Sequence, residues 1–189
     1  MLVLIHGSFS KTRQTWWHSG EPFPKYLAKV FKRTVYPFSW SGGILPADFQ
    51  SGASLLFTWI SSHVPKHKRK IFIVAHSNGG NVAMLATHKT EKIDRLILLG
   101  TPLRTDCVPN IRKIGRLYNV YSLDDWVQKS WLATFLHQRG EGRTLGDSQK
   151  LVNILAEYTH SPGNWPSHGG LHTEKVWKDC DIEQRVKVK

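Results

Sequence analysis

The sequence predicts an α/β protein built on a mainly parallel sheet, and three observations support this. Short apolar, β-rich runs recur along the chain, separated by stretches with helical or loop character. Two of these runs, residues 71–74 and 96–99, are continuously apolar, which is typical of strands buried on both faces. The length of 189 residues suits one domain, so we expect a single domain over residues 1–189.

The runs place the predicted elements in an alternating order. Strands are predicted at residues 2–5, 34–38, 70–75, 95–99 and 117–121, with a last strand at 156–160. Helices are predicted at 23–32, 47–63 and 78–88, and further helices at 126–136, 149–157 and 173–185. The Gly- and charge-rich stretch 137–147 indicates a mobile surface loop.

Composition and charge limit the classes of partner. The net charge of +12 favours contact with anionic partners, but the basic residues are spread over segments 66–70, 104–116 and 185–189. None of these segments carries a nucleic-acid-binding motif. We therefore expect a solvated basic surface, no specific nucleic-acid partner and at most a weak attraction to anionic surfaces.

The apolar runs and the cysteines bear on the cellular compartment. The opening run 1–5 is too short for a signal peptide, and no run reaches the roughly 18 apolar residues of a membrane span. We expect a cytoplasmic protein without stable membrane insertion. Cys107 and Cys180 lack CxxC spacing and the density of a disulfide framework, so two free thiols are favoured, while a single bridge stays open.

The strongest motif lies where the predicted strand at 70–75 meets the helix at 78–88. Ala75-His76-Ser77-Asn78-Gly79 places a serine between small residues, directly after a buried strand and before a helix. This context is typical of a nucleophile elbow, in which a sharp turn exposes the serine Oγ above the sheet edge. Ala75 stands where the usual pattern has glycine.

A second motif, His6-Gly7-Ser8-Phe9, follows the first predicted strand. Acyl transfer needs backbone N–H groups directed at the developing oxyanion. In enzymes with this elbow, one donor comes from such a loop and one from the residue after the nucleophile, which makes Ser8 and Asn78 the candidates.

The two motifs and their order resemble the α/β-hydrolase superfamily, particularly the small bacterial lipases and esterases that begin almost at the His-Gly strand and lack a lid domain. The resemblance includes alanine at the first elbow position. It implies a minimal α/β-hydrolase core of about six mostly parallel strands, with helices on both faces and no cap domain. It also implies hydrolysis of acyl or lipid-type carboxylic esters through an acyl-enzyme on Ser77, without a cofactor.

The resemblance also identifies an acid and a base. The family's acid lies in a segment similar to Tyr-Ser-x-x-Asp-x-Val, and residues 121–127 match it with Asp125, while Asp124 is the alternative. The aspartate that is not catalytic could be an N-cap. The family's His-x-Gly-Leu before a terminal helix selects His168 as the base, with His172 as a substrate-side or structural residue.

Serine, acid and base have complementary roles in this chemistry. The serine hydroxyl is a weak nucleophile near neutral pH, so His168 would accept its proton, and Asp125 would fix the imidazole tautomer. His6 and His76 are interpreted as structural or exposed. Six aromatic residues near the expected site could line an acyl pocket or anchor the core: Phe9, Trp16, Trp17, Trp40, Trp126 and Trp165.

The sequence is compatible with other functions. The same triad serves amidases and thioesterases, and a non-catalytic basic binding module on a hydrolase scaffold is a further alternative. A metal site is not expected, because two glycines separate His168 from His172 and no HExxH motif occurs.

Overall fold

Six parallel strands form one sheet in the computed structural model, which describes residues 1–9, 15–63, 70–90, 92–129, 144–146, 148–158 and 167–187. The strands are β1 (Leu2–Ile5), β2 (Val35–Phe38), β3 (Phe72–His76), β4 (Ile93–Leu99), β5 (Ile114–Tyr121) and β6 (Leu151–Leu155). They lie in the order β2-β1-β3-β4-β5-β6, and every neighbouring pair is parallel. The predicted fold class is confirmed.

Helices cover both faces of this sheet. They are α1 (Pro22–Phe31), α2 (Pro46–His63), α3 (Asn78–Ala86), α4 (Trp126–Lys129), α5 (Ser167–Gly170), α6 (Glu174–Asp179) and α7 (Ile182–Lys187), with a 3₁₀ turn at Ile111–Lys113. A proline in the first turn suits the start of α1, and Lys32 ends this helix in the left-handed conformation. No cap domain is evident among the residues that the structure describes.

The core is divided into two layers by the alternation of side chains along the strands. In β1, Val3 and Ile5 belong to the apolar cluster that includes residues of α2 and α3. Leu2 and Leu4 belong to the opposite cluster, with residues of α1, α6 and α7. Because successive side chains of a strand point to opposite faces, the apolar run of β1 contributes to both layers.

The last strand differs from the prediction. The structure has β6 at Leu151–Leu155, where a helix over 149–157 was predicted, and residues 156–158 lie beyond the strand instead of starting it. Pairing with β5 determines this outcome, since Leu117 lies opposite Leu151 and Tyr121 opposite Leu155. Long-range pairing of this kind overrides a weak local helical pattern.

The predicted C-terminal helix over 173–185 is two helices in the structure. Asp181, between α6 and α7, has a φ of 54°, a left-handed conformation that interrupts a right-handed helix. Of the helix predicted at 126–136, the part up to Lys129 is present as α4, and its remainder lies outside the described residues. Of the loop predicted at 137–147, only residues 144–146 are among the described residues.

The order of the strands positions the candidate site. From β1 the chain continues to β2 on one side of it, and β3 then lies on the other side of β1. Loops that leave the carboxyl ends of strands at such a switch point diverge and create a crevice. Ile5 of β1 lies opposite Ala75 of β3, so the segments that begin at His6 and His76 leave the sheet side by side.

Two further expectations concern cysteines and membrane spans. Cys107 and Cys180 are both free thiols, and burial raises the pKa of Cys107 to about 12. None of the helices described is both long and apolar enough to cross a bilayer.

Candidate active site

Ser77 occupies a strained turn between β3 and α3. Its φ of 54° and ψ of −136° lie outside the regions that non-glycine residues commonly adopt, and backbone strain of this kind clusters at functional sites. Ser77 is the N-cap residue of α3, but its side chain makes no capping hydrogen bond to the helix. Serine usually stabilises a helix from this position through its hydroxyl, so the Oγ is left for another use.

Two glycines allow the β1 loop to approach this turn. A Cβ on Gly7 would lie 2.6 Å from the Ser77 Cβ, and a Cβ on Gly79 would lie 2.4 Å from the carbonyl oxygen of His6. Both distances are shorter than any non-bonded contact between two carbons or between a carbon and an oxygen, so neither position has space for a side chain. Each glycine thus lies against the other motif, Gly7 against Ser77 and Gly79 against His6, where the chain leaves β1 and β3.

The two candidate oxyanion donors are joined through their side chains. Asn78 Nδ2 donates to Ser8 Oγ at 3.0 Å, and Ser8 Oγ donates to the Gly43 carbonyl at 2.9 Å. Asn78 Oδ1 accepts a hydrogen bond of 3.0 Å from Asn81 Nδ2. The Asn78 backbone N–H is at the first position of α3, where a helix offers it no internal acceptor.

The structure brings His168 and Asp125 together. His168 Nδ1 lies 2.8 Å from Asp125 Oδ2, and the Asp125 side chain is fully buried while that of His168 is 17% exposed. Asp125 Oδ1 accepts hydrogen bonds from the backbone N–H groups of Val127 and Gln128. The carboxylate thus begins α4 with one oxygen and contacts the histidine with the other.

Asp124, the alternative acid, and His172, the other histidine of its segment, have different surroundings from Asp125 and His168. Asp124 is exposed, and its backbone N–H donates to Ser122 Oγ at 3.3 Å. The His172 ring stacks on Trp16, with centroids 4.4 Å apart and planes within 9°.

Gly100 makes room for the His168–Asp125 pair, a role that the sequence analysis missed. It follows β4 directly and has a φ of 58°. A Cβ there would lie 2.9 Å from Asp125 Oδ2 and 3.1 Å from His168 Nδ1. A glycine at the carboxyl end of a central strand, the edge where Ser77 also lies, was the available signal.

His76 and His172 form a shielded histidine cluster with His168. The ring centroid of His76 lies 4.5 Å from that of His168 and 4.8 Å from that of His172. Burial, and then the charge of His168, lowers the pKa of His76 well below its usual value, and burial lowers the pKa of His172 to about 4. Both rings are therefore neutral near pH 7.

His6 is fully buried beneath the β1 loop, as a structural interpretation requires. Its Nδ1 lies 2.7 Å from the Gly7 carbonyl and its Nε2 accepts from the Trp40 backbone N–H, which together fix a neutral tautomer with the proton on Nδ1. Trp17 and Trp40 are buried beside this ring, whereas Phe9 is exposed. The Trp126 side chain and Trp165 lie outside the described part of the chain.

Within the part of the chain that the structure describes, no three His, Cys, Asp or Glu side chains are arranged to hold a metal ion. What the described residues bring to one edge of the sheet is a serine in a strained turn, two linked segments with backbone donors, and a histidine held by a buried carboxylate. These are the parts that acyl transfer requires.

Replacing Gly100 by alanine should destabilise the protein beyond the cost of the backbone conformation. A left-handed conformation costs an L-residue about 1–2 kcal/mol, and the new methyl group would also press on Asp125 and His168. We expect chemical denaturation to show a loss of more than about 2 kcal/mol. Gly20→Ala is the control, because a Cβ on Gly20 meets no atom within 4 Å. A loss of no more than about 2 kcal/mol relative to Gly20→Ala would contradict the crowding at Gly100, because the backbone conformation alone would account for it.

Acidification should destabilise the protein partly through His172. Because its pKa is lowered in the folded state, the unfolded chain binds a proton that the folded protein does not, and stability is lost as the pH falls from about 6.5 towards 4. We expect His172→Phe to reduce the loss of unfolding free energy between pH 7 and pH 5 by about 1–2 kcal/mol. Denaturant titrations at both pH values measure this, with His18→Phe at the surface as the control. If His172→Phe had the same pH dependence of stability as the wild type, the lowered pKa of His172 would be refuted.

Comparison with solved structures places the fold among hydrolases. A CIB-like hydrolase from Thermoplasma acidophilum, itself named as predicted, aligns with a TM-score of 0.56 and 16% identity, over 97% of this chain and 86% of its own. The thermostable carboxylesterase EstE1 from a metagenomic library aligns with a TM-score of 0.56 and 11% identity, over 98% and 78%. The NocB thioesterase domain, solved as a covalent fluorophosphonate complex, aligns with a TM-score of 0.52 and 13% identity, over 98% and 92%. At these identities the similarity establishes the α/β-hydrolase fold.

Sequence comparison identifies the family. No curated protein matches the chain significantly. The PGAP1-like alpha/beta domain matches residues 51–158, a segment that includes the Ser77 turn and Asp125 and covers more than half of the chain. The chain therefore belongs to the PGAP1-like alpha/beta domain family.

Proposed function

We propose that this protein is a serine hydrolase that cleaves carboxylic esters through an acyl-enzyme on Ser77, with His168 as the base and Asp125 as the acid. The observation that carries the proposal is the 2.8 Å contact between His168 Nδ1 and the buried Asp125 Oδ2. A buried carboxylate that holds a partly exposed imidazole is the arrangement that orients a general base. It lies at the sheet edge from which the strained Ser77 turn also projects.

The first step is attack of Ser77 Oγ on the ester carbonyl. The neutral His168 ring carries its proton on Nδ1, which donates to Asp125, so Nε2 is the nitrogen that accepts the serine proton. The carboxylate then stabilises the imidazolium. Its other oxygen is bonded to two backbone N–H groups, so the carboxylate is fixed in orientation before the reaction begins.

The negative charge that develops on the carbonyl oxygen needs backbone donors. We assign this role to the backbone N–H groups of Ser8 and Asn78, whose side chains are bonded to each other at 3.0 Å. The amino terminus of α3 adds the positive end of a helix dipole beneath the same oxygen. Donors that are fixed before the reaction stabilise the transition state without reorganisation.

The second step reverses the proton transfer. His168 donates its proton to the leaving alcohol, and the acyl-enzyme remains. The same ring then takes a proton from a water molecule that attacks the acyl carbonyl, and returns it to Ser77 Oγ as the carboxylic acid is released. Thioesters and amides react by the same route with other leaving groups. We propose carboxylic esters as the preferred substrates. Measuring kcat/KM for an ester, a thioester and an amide that share one acyl group separates the three activities.

Ser77→Ala should abolish ester hydrolysis, because it deletes the nucleophile while changing one atom of a well-packed turn. The loss of kcat should be on the order of 10³-fold or more. A fluorophosphonate probe should label the wild type on the peptide that contains Ser77 and leave the variant unlabelled. Ser54→Ala, on the exposed side of α2, is the matched control and should retain both properties. Wild-type turnover by a folded Ser77→Ala protein would eliminate the mechanism.

Asp125→Asn and Asp124→Asn should differ sharply although they are neighbours. Asn at 125 can present N–H instead of oxygen to His168 Nδ1 and so disturbs the tautomer, which should lower kcat by up to about 10⁴-fold. Asp124 is exposed, so its replacement should change kcat by less than about twofold and stability by at most ±0.5 kcal/mol. Measuring kcat for both at one pH decides between them. The reverse ranking would transfer the acid role to Asp124.

A further inference from the structure

His76 connects the Ser77 turn to the segment that carries His168. It is the last residue of β3, and the residue is only 4% exposed. Its ring Nε2 lies 2.9 Å from the backbone carbonyl oxygen of His168. A residue covalently attached to Ser77 is thus hydrogen-bonded to the backbone of the proposed base.

The hydrogen bond determines the tautomer of His76. A carbonyl oxygen can only accept, so Nε2 carries the proton and Nδ1 does not. Among the described residues, Nδ1 has no hydrogen-bond partner. Burial lowers the pKa of this ring, which keeps it neutral beside an imidazole that must itself become positive during the reaction.

The neighbouring rings restrict the movement of His76. Trp16 meets it edge to face with centroids 5.6 Å apart, and His172 meets it edge to face at 4.8 Å. The His168 ring lies on a further side at 4.5 Å. Packed aromatic neighbours of this kind hold a side chain in one rotamer, so the Nε2–H group keeps its direction.

The His168 segment needs such an external contact. Its helix, α5, spans only Ser167–Gly170, a single turn, which supplies too few internal hydrogen bonds to be stable alone. Asp125 holds the His168 side chain from one direction, and His76 holds the His168 backbone from another. Two anchors on one residue fix both the position and the rotation of its imidazole.

We propose that His76 is a positioning residue that fixes His168 relative to Ser77 through this side-chain-to-carbonyl hydrogen bond. The proposal rests on the proposed function, since it assigns His76 a role in the same reaction. His76 does not touch the reacting atoms, and its effect is transmitted through His168. A displacement of about 1 Å at a reacting group can lower a rate by about 10²-fold, so loss of the anchor should be measurable in kcat.

The test replaces His76 with phenylalanine, which keeps a ring of similar size and removes the donor. We expect kcat to fall by about 10- to 100-fold while KM stays within about twofold, because binding is unchanged and only the proton transfer is misaligned. The loss of kcat/KM, which reports formation of the acyl-enzyme, should be larger for ethyl butyrate than for p-nitrophenyl butyrate, since both esters share the later hydrolysis of one butyryl-enzyme. The alkoxide leaving group needs the proton from His168, whereas p-nitrophenolate leaves without one. Merely structural damage would reduce both rates by the same factor.

Two further variants complete the comparison. His76→Gln can place its amide N–H near the His168 carbonyl and should recover most of kcat, while the shorter His76→Asn should not. If His76→Phe does not fold, the ratio of kcat between these two variants decides the question. His88→Phe is the matched control, because His88 Nε2 also lies 2.8 Å from a backbone carbonyl, that of Val108, and its exposed side chain follows the far end of α3.

The outcomes separate this proposal from the proposed function. If Ser77 is not labelled by the fluorophosphonate probe in the wild type, the serine mechanism itself fails. If the wild type is labelled and active but folded His76→Phe keeps wild-type kcat on both esters, the positioning role is refuted and the serine mechanism stands. Equal kcat values for the Gln and Asn variants, or an equal loss in His88→Phe, would also overturn the positioning role.

Discussion

The close approach of two chain segments at the carboxyl ends of β1 and β3 is the constraint on which the rest of the site depends. There the Gly7 backbone lies against Ser77, and Gly79 lies against the His6 carbonyl, with no space for side chains. The approach follows from the parallel pairing of β1 with β3, because Ile5 opposite Ala75 makes the two segments leave the sheet side by side. It brings Ser8 within hydrogen-bonding distance of Asn78 and so assembles the proposed oxyanion donors from segments 70 residues apart.

The fold could be predicted from the sequence where strands are buried on both faces. The continuously apolar runs of β3 and β4 determined the centre of the sheet, and the serine between small residues determined the turn that follows. β6 could not be predicted in the same way. Its sequence, Leu-Val-Asn-Ile-Leu, has no alternation, and its Asn153 is accommodated by pairing with Asn119 of β5. That interaction depends on tertiary structure and leaves no local signal.

Some residues of the candidate site could be predicted from the sequence, and others could not. Resemblance to known motifs selected Ser8, Ser77, Asn78, Asp125 and His168, and the structure places His168 against Asp125. Gly100 and His76 were not selected, because their importance lies in distances to residues far away in sequence. A Cβ on Gly100 would meet a carboxylate 25 positions later, and His76 contacts a carbonyl 92 positions later. Periodicity and spacing report on local structure and cannot reveal such contacts.

The histidine cluster shows how burial distributes charge around the site. The rings of His168 and His172 each lie within 5 Å of the His76 ring, measured between centroids. Further positive charge would not stabilise a protein whose net charge is already +12. Shielding His76 and His172 from water keeps both neutral. The charge that the proposed reaction generates is thereby confined to the one ring that has a carboxylate beside it.

The divided carboxylate of Asp125 has a mechanical consequence. One oxygen begins α4 and the other holds His168, so the helix and the histidine are connected through a single rigid group. A shift of α4 that strains its two hydrogen bonds would turn the carboxylate and, with it, the imidazole. The start of α4 is therefore coupled mechanically to the imidazole, because a displacement of its first residues reaches His168 through one carboxylate.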